Sequence, residues 1–99
     1  MSRRRSRLEV MLGILSAVRD GIDKPTRIMY AINQSWTPTQ RMLSNLVEQG
    51  IVELRIASGN GSSKKRYVIT EKGVKVLDYF EKANEILPKD VYLTLGIPS

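Results

Sequence analysis

The stretch "PTRIMYAINQSWTPTQRMLSNLVEQG", residues 25–50, decides the fold of this chain. In its first part, Pro25 stands at a position that the first turn of a helix tolerates. Apolar side chains then recur at helical spacing, namely Ile28, Met29 and Ile32. This pattern predicts a short helix over 25–33.

The second part of the stretch predicts another helix, over 38–49. Thr37 is a good N-cap, Pro38 suits the first helical position, and Gly50 is typical of the residue just past a helix end. A turn of four residues separates the two helices. The apolar direction of the second one is given by Leu43, Leu46 and Val47.

At about 100° per residue, this helix has two distinct faces. Trp36, the chain's only tryptophan, and Thr39 fall on the apolar side, and Gln40 flanks it. We therefore expect Trp36 to anchor a core or an interface rather than to stack on bases. The opposite face is polar and comprises Thr37, Pro38, Arg41, Ser44, Asn45 and Glu48.

Further helices are predicted on both sides of this stretch. Ser6 and Glu9 form a capping box that opens a helix over 6–20. A longer helix over 71–87 is stopped by Pro88. Its apolar positions run through Val74, Leu77, Phe80, Ala83 and Leu87, widened by Val76, Tyr79 and Ile86.

Between these helices lies a predicted β-hairpin. Residues 51–57 and 66–69 are strand-like, and the polar loop 58–65 between them contains Asn60-Gly61, a strong turn signal. Three helices followed by a hairpin with a basic tip is the order of a winged helix-turn-helix. We predict a basic arm (1–7), the winged domain (8–70), a closing and dimerising helix (71–87) and a tail (88–99).

Composition narrows the function. The 99 residues predict one domain, and with no cysteine and no histidine the usual thiolate, imidazole and triad chemistries are excluded. We expect no enzyme activity, metal, cofactor or small-molecule ligand. Asp78, Glu81 and Glu85 are interpreted as a solvated helix surface. No signal peptide and no membrane segment of about 18 apolar residues is found, so we expect a cytoplasmic, nucleoid-associated protein.

The net charge of +6 is concentrated in two short segments. One is the N-terminal run Arg3, Arg4, Arg5 and Arg7, and the other is Lys64, Lys65 and Arg66. Elsewhere the acidic and basic residues nearly balance. Two focused clusters favour a polyanionic partner over a role in solubility alone.

The polar face of the 38–49 helix suits the major groove of double-stranded DNA. Arg41 and Asn45 lie one turn apart, and these residue types read guanine and adenine edges. We predict base or phosphate contacts from Thr37, Gln40, Arg41, Ser44 and Asn45. Phosphate contacts are predicted from the hairpin (Lys64, Lys65, Arg66) and the arm (Arg3, Arg4, Arg5). A protein-interaction module and an RNA-binding protein are the alternatives, and the same polar face would then be solvated or bind another partner.

The apolar stripe of the last helix exceeds what one small core needs. Left exposed, such a stripe marks an association surface. We therefore expect a homodimer formed through Leu77, Phe80, Ala83, Ile86 and Leu87.

The sequence also resembles a known family, the small archaeal winged-helix DNA-binding proteins of the ten-kilodalton chromatin-protein type. The resemblance is carried by "LEVMLGILSAVRDGIDKPTRIMYAINQSW" (8–36), "LSNLVEQGIVE" (43–53) and "RYVITEKG" (66–73). It implies an archaeal chromatin protein or transcription regulator that dimerises through a C-terminal coiled-coil helix. By this resemblance Lys24, Thr26 and Arg27 would also contact DNA. The last helix here is shorter than the family's, and the tail "VYLTLGIPS" would then share in the pairing.

Overall fold

The computed structural model describes residues 6–59 and 62–86. Four helices and a two-stranded antiparallel sheet follow in the predicted order. They are α1 (Arg7–Arg19), α2 (Pro25–Ala31), α3 (Trp36–Glu48), β1 (Val52–Gly59), β2 (Ser62–Ile69) and α4 (Glu71–Ile86). The prediction of a winged helix-turn-helix is confirmed. The arm with Arg3, Arg4 and Arg5, the Asn60-Gly61 turn, Leu87, Pro88 and the tail lie outside the described residues.

Helix α1 is the centre of the core, because it packs against α2, α3, β2 and α4. Leu12, Leu15 and Val18, which form a stripe at helical spacing, are all buried. Val10 and Ala17 are buried as well, on positions outside that stripe. The helix is therefore surrounded on most of its circumference, which leaves the other elements to form the outer surfaces. Its predicted N-cap is also confirmed, since the Oγ of Ser6 accepts a hydrogen bond from the backbone N–H of Glu9 at 3.1 Å.

The turn between α2 and α3 has the predicted length of four residues but lies two residues earlier. Asn33 takes a left-handed conformation (φ 55°), which ends α2, and Ser35 is the N-cap of α3. The prediction of Thr37 as N-cap and Pro38 as first helical residue is wrong. A proline fits anywhere in a first turn, because those N–H groups have no partner within the helix, so Pro38 did not fix the start.

The hairpin, called the wing below, is longer than predicted. Gly59 pairs with Ser62, so the strands extend across most of the segment 58–65 that was predicted to be loop. Lys64 and Lys65 consequently lie on β2 rather than in a flexible tip. Ile56, Ala57, Lys64 and Lys65 are exposed, on both faces of the ribbon, so the alternation of apolar and polar residues that signals a strand is lost there.

The start of α4 is fixed to the junction between α3 and β1. The Thr70 hydroxyl donates to the backbone carbonyls of Gly50 and Ile51 (2.7 and 2.8 Å) and accepts from the Gly73 N–H (3.1 Å). Lys72 Nζ donates to the carbonyl of Gln49 at 2.8 Å. The end of α3 and the start of α4 are thus held together by direct bonds.

Candidate nucleic-acid interface

The two predicted faces of α3 are present in the structure. Thr39 and Leu43 are fully buried and Leu46 is nearly so. On the opposite face the side chains of Thr37, Pro38, Arg41, Ser44 and Glu48 are exposed, and that of Asn45 is half-buried. Inner packing therefore positions the helix without using the outer polar side chains.

Asn45 is held in place by its own helix. Its Oδ1 accepts a hydrogen bond from Nε2 of Gln49 at 3.0 Å. This bond leaves both amide hydrogens of Asn45 available as donors, and the oxygen keeps a second acceptor site. The pairing thus orients the amide that was predicted to read an adenine edge.

Gln40 connects α3 to the base of the wing. Its side chain hydrogen-bonds to Tyr67, which lies on β2 and is only 2% exposed. Burial raises the pKa of Tyr67, and the bond from Gln40 opposes that rise only in part. The backbone N–H of Tyr67 donates to the carbonyl of Asp23 at 2.9 Å, just before α2. The wing and α3 are therefore fixed relative to each other.

The wing carries cations on both faces. Lys64 lies opposite Ala57 and Lys65 opposite Ile56, and neighbouring residues of a strand point to opposite sides. Arg66 lies directly opposite Arg55, a repulsive arrangement that acidic neighbours offset. Arg55 Nε is 3.1 Å from Glu53, and Arg66 Nε is 3.6 Å from Asp23.

Some basic side chains have acidic partners and others do not. Arg19 on α1 (to Glu81, 2.8 Å) and Lys75 and Lys82 on α4 (to Glu71, 3.5 Å, and to Asp78, 3.0 Å) are paired. Within the described part of the chain, no ion pair involves the exposed cations of the segment before α2, of α2 itself, of α3 or of the outer wing. These are Lys24, Arg27, Arg41, Lys64 and Lys65.

The family resemblance predicted three further DNA contacts, and all three residues are exposed: Lys24, Thr26 and Arg27. Lys24 immediately precedes α2, and Thr26 and Arg27 belong to its first turn.

A concave surface connects the outer face of α3 to the start of α1 and to the preceding turn. Besides α3 residues, its lining includes Arg7, Asn33 and Gln34.

Trp36 is placed differently from our expectation. It belongs to the first turn of α3, is 46% exposed and does not join the core. Of the two predicted places, core or interface, the core is therefore wrong, and the interface stays a prediction. Helical phase alone put it on the apolar side. The phase does not show that the first turn of α3 extends beyond the core. Tyr30, near the end of α2, is another exposed aromatic (77%) that the sequence did not single out.

The residues predicted for dimerisation differ in their solvent exposure. Leu77 is only 3% exposed because it packs in the core of its own chain, which corrects its assignment to an interface. Phe80 and Ala83 are half-buried, whereas Ile86 is 81% exposed. Tyr79, on the same side as Ile86, is 69% exposed.

Within residues 6–59 and 62–86, no group of His, Cys, Asp or Glu side chains could hold a metal ion. In the same ranges, no helix combines the length and the apolarity needed to cross a membrane.

Comparison with known proteins gives one family and several similar chains. Residues 4–87 match the winged helix-turn-helix family. An uncharacterized protein of Methanocaldococcus jannaschii is 29% identical over 84 residues, which are 85% of this chain and 78% of that protein.

Two solved structures share the fold. MepR of Staphylococcus aureus, as the A103V mutant from a multidrug-resistant clinical isolate, superimposes with a TM-score of 0.65 at 18% identity over 91% of this chain. A MarR family transcriptional regulator of Silicibacter pomeroyi gives 0.61 at 19% identity, also over 91%. This chain spans 61% and 64% of their respective lengths.

Proposed function

This chain belongs to the winged helix-turn-helix family, and on that basis we propose that it binds double-stranded DNA. In this proposal α3 enters the major groove and the wing follows the flanking backbone. The observation that carries it is the difference in charge pairing described above. Arg19 on α1 and Lys75 and Lys82 on α4 have acidic partners, whereas described residues provide none for Lys24, Arg27, Arg41, Lys64 or Lys65.

Unpaired cations suit a polyanion for a physical reason. A cation that already has an acidic partner must give up that partner to bind a phosphate. An exposed, unpaired cation loses only hydration, and its binding releases a counterion from the DNA. The unpaired cations Lys24, Arg27, Arg41, Lys64 and Lys65 therefore supply affinity without prior rearrangement.

The outer face of α3 supplies the sequence-reading groups of the proposal. A B-form major groove is wide enough for one α-helix. Arg41 is exposed and extends from the second turn, and Asn45 presents an amide already oriented by Gln49. In this proposal Arg41 reads guanine and Asn45 reads adenine, with Thr37, Gln40 and Ser44 contacting base edges or phosphates nearby. Lys24, Thr26, Arg27, Arg66 and the arm (Arg3, Arg4, Arg5) contact the backbone.

The biological role in this proposal is regulation of transcription or packaging of DNA as an archaeal chromatin protein. The similar protein of Silicibacter pomeroyi is a transcriptional regulator, which supports the first role. The relative in Methanocaldococcus jannaschii supports an archaeal setting. With either role the protein would be nucleoid-associated.

A homodimer through α4 completes the proposal. One flank of α4 combines the exposed Tyr79 and Ile86 with the half-buried Val76, Phe80 and Ala83. The opposite flank is charged, with Asp78, Glu81 and Glu85. An apolar flank of this kind is stabilised when a second copy covers it, and a two-fold dimer would present two α3 helices to adjacent turns of DNA.

The experiment that tests the function is direct. Binding of the full chain to random duplex DNA is measured by fluorescence anisotropy at about 50 mM salt and then at increasing salt. Detectable binding that weakens linearly with the logarithm of the salt concentration supports the proposal. No detectable binding to duplex DNA at low salt refutes it, and a preference for duplex RNA or single strands would redirect it.

A further inference from the structure

Trp36 is a large apolar side chain that lies outside the core. Its indole is 46% exposed and is not among the residues packed on the core. The first turn of α3 is held by another residue. Thr39, fully buried, donates to the carbonyl of Ser35 from both its hydroxyl (2.8 Å) and its backbone N–H (3.4 Å).

The position of Trp36 relative to the proposed interface follows from the helix geometry. It lies one turn before Gln40 and so on the same side of α3. Because Gln40 bonds to Tyr67 on β2, that side faces the wing. Thr37, the next residue, is on the exposed outer face. Trp36 thus stands at the N-terminal tip of α3, between its outer face and the wing.

The N-terminal residues of a recognition helix are those that approach base edges in the major groove. Most groups on the floor of that groove are hydrogen-bond donors and acceptors, which suit Arg41 and Asn45. The apolar group among them is the C5-methyl of thymine. An exposed indole carries extensive apolar surface, and its burial against a methyl group is favourable.

We propose that Trp36 packs its indole against the C5-methyl of a thymine, so that it specifies an A·T pair at one position of the bound site. This inference rests on the proposed binding of duplex DNA. Only hydrogen-bonding and charged side chains were predicted from the sequence for the DNA interface, and Trp36 adds an apolar contact to them.

The test replaces single thymines by deoxyuridine, which removes the methyl group and keeps the base pairing. The probe is the duplex bound most tightly from a random pool, at about 50 mM salt. One substitution should weaken binding of the wild-type chain about fourfold, which corresponds to one buried methyl group. Trp36→Ala should weaken binding of the unmodified duplex about fivefold or more and should no longer distinguish uracil from thymine.

Two further variants separate this role from a structural one. Trp36→Phe keeps an apolar ring and should retain the discrimination between thymine and uracil. Val74→Ala removes apolar atoms at a matched exposure of 45% on α4 and should bind both duplexes as the wild type does. Thermal unfolding of Trp36→Ala should stay close to that of the wild type, because the side chain is not part of the core.

The chain's single tryptophan also reports the contact directly, since its emission should shift to shorter wavelength on binding. The inference is overturned if duplex binding persists while no uracil substitution weakens it, or if Trp36→Ala shows the same uracil effect as the wild type. Absence of any duplex binding would instead refute the proposed function itself. The two failures are therefore distinguishable.

Discussion

Substitution of Gly73 by alanine should destabilise the fold more than its position in a first helical turn suggests. A Cβ at this residue would lie 2.2 Å from the carbonyl oxygen of Ile51 and 2.7 Å from Cγ1 of Ile69. The Ile69 side chain can move, but the Ile51 carbonyl belongs to the backbone that accepts the Thr70 hydroxyl. The start of α4 must therefore move away from β1.

The magnitude follows from two opposing effects. Overpacking of this kind typically costs about 1–3 kcal/mol, and a contact to backbone belongs at the upper end. Alanine is favoured over glycine in a helix by at most about 1 kcal/mol. We expect a net loss of about 2 kcal/mol in the free energy of unfolding.

The assay is urea unfolding followed by circular dichroism, with Gly13→Ala as the matched control. At Gly13 the nearest atom to a new Cβ is Cγ2 of Ile32 at 3.1 Å, the end of a side chain, so the helix preference for alanine should nearly offset the crowding. A Gly73→Ala variant that is as stable as the wild type, or that loses no more stability than Gly13→Ala, would contradict the predicted clash with the Ile51 carbonyl.

Three other outcomes are expected. Tyr67→Phe should lose about 1 kcal/mol near neutral pH, the value of its bond to Gln40. Burial raises the pKa of Tyr67 in the folded state, so the wild type should lose additional stability above about pH 10, where the unfolded tyrosine ionises. Tyr67→Phe should not show this additional loss. Identical pH profiles of stability for the two proteins would contradict the expectation. Sedimentation should show a dimer at tens of micromolar that Ile86→Glu dissociates and Val74→Glu, on the other flank of α4, does not; a wild-type monomer would contradict the dimer. Arg41→Ala should weaken binding chiefly to a selected sequence and Lys64→Ala should weaken it on every sequence, whereas equal losses on both would show that α3 does not read bases.

Much of the architecture was predictable because apolar spacing carries it. The stripe Leu12, Leu15, Val18 and the pair Leu43, Leu46 are buried as their helical phase required. These side chains are apolar because they are buried in one core, so their spacing in the sequence predicts which of them are buried. The outer polar face of α3 followed from the same phase.

The errors have separate physical causes. Trp36 was expected in a core or an interface, and the core placement is wrong because helical phase gives the direction of a side chain but not how far the core extends along the helix. The wing was predicted too short because a ribbon with two solvated faces shows no alternation. The close approach of Gly73 to Ile51 was not predicted, because it depends on a contact between residues far apart in the chain.

The ion pairs of the basic residues could not be predicted from the sequence either. Arg19 and Glu81 are 62 positions apart, yet their side chains meet at 2.8 Å. Only the folded chain shows which cations have acidic partners and which do not. That distinction, rather than the total charge of +6, is the main support for the proposed interface.

The salt dependence of DNA binding tests this central claim most directly. Binding of random duplex DNA should weaken with salt at a slope of about −0.9 in log affinity per log salt for each phosphate contact. A double variant, Lys64→Ala with Lys65→Ala, should reduce that slope by about 1.8. The charge-matched double variant Lys75→Ala with Lys82→Ala, which removes ion-paired lysines of α4, should leave it unchanged. Equal reductions in both double variants would contradict the account, because binding would then follow net charge and not the unpaired cations of one face.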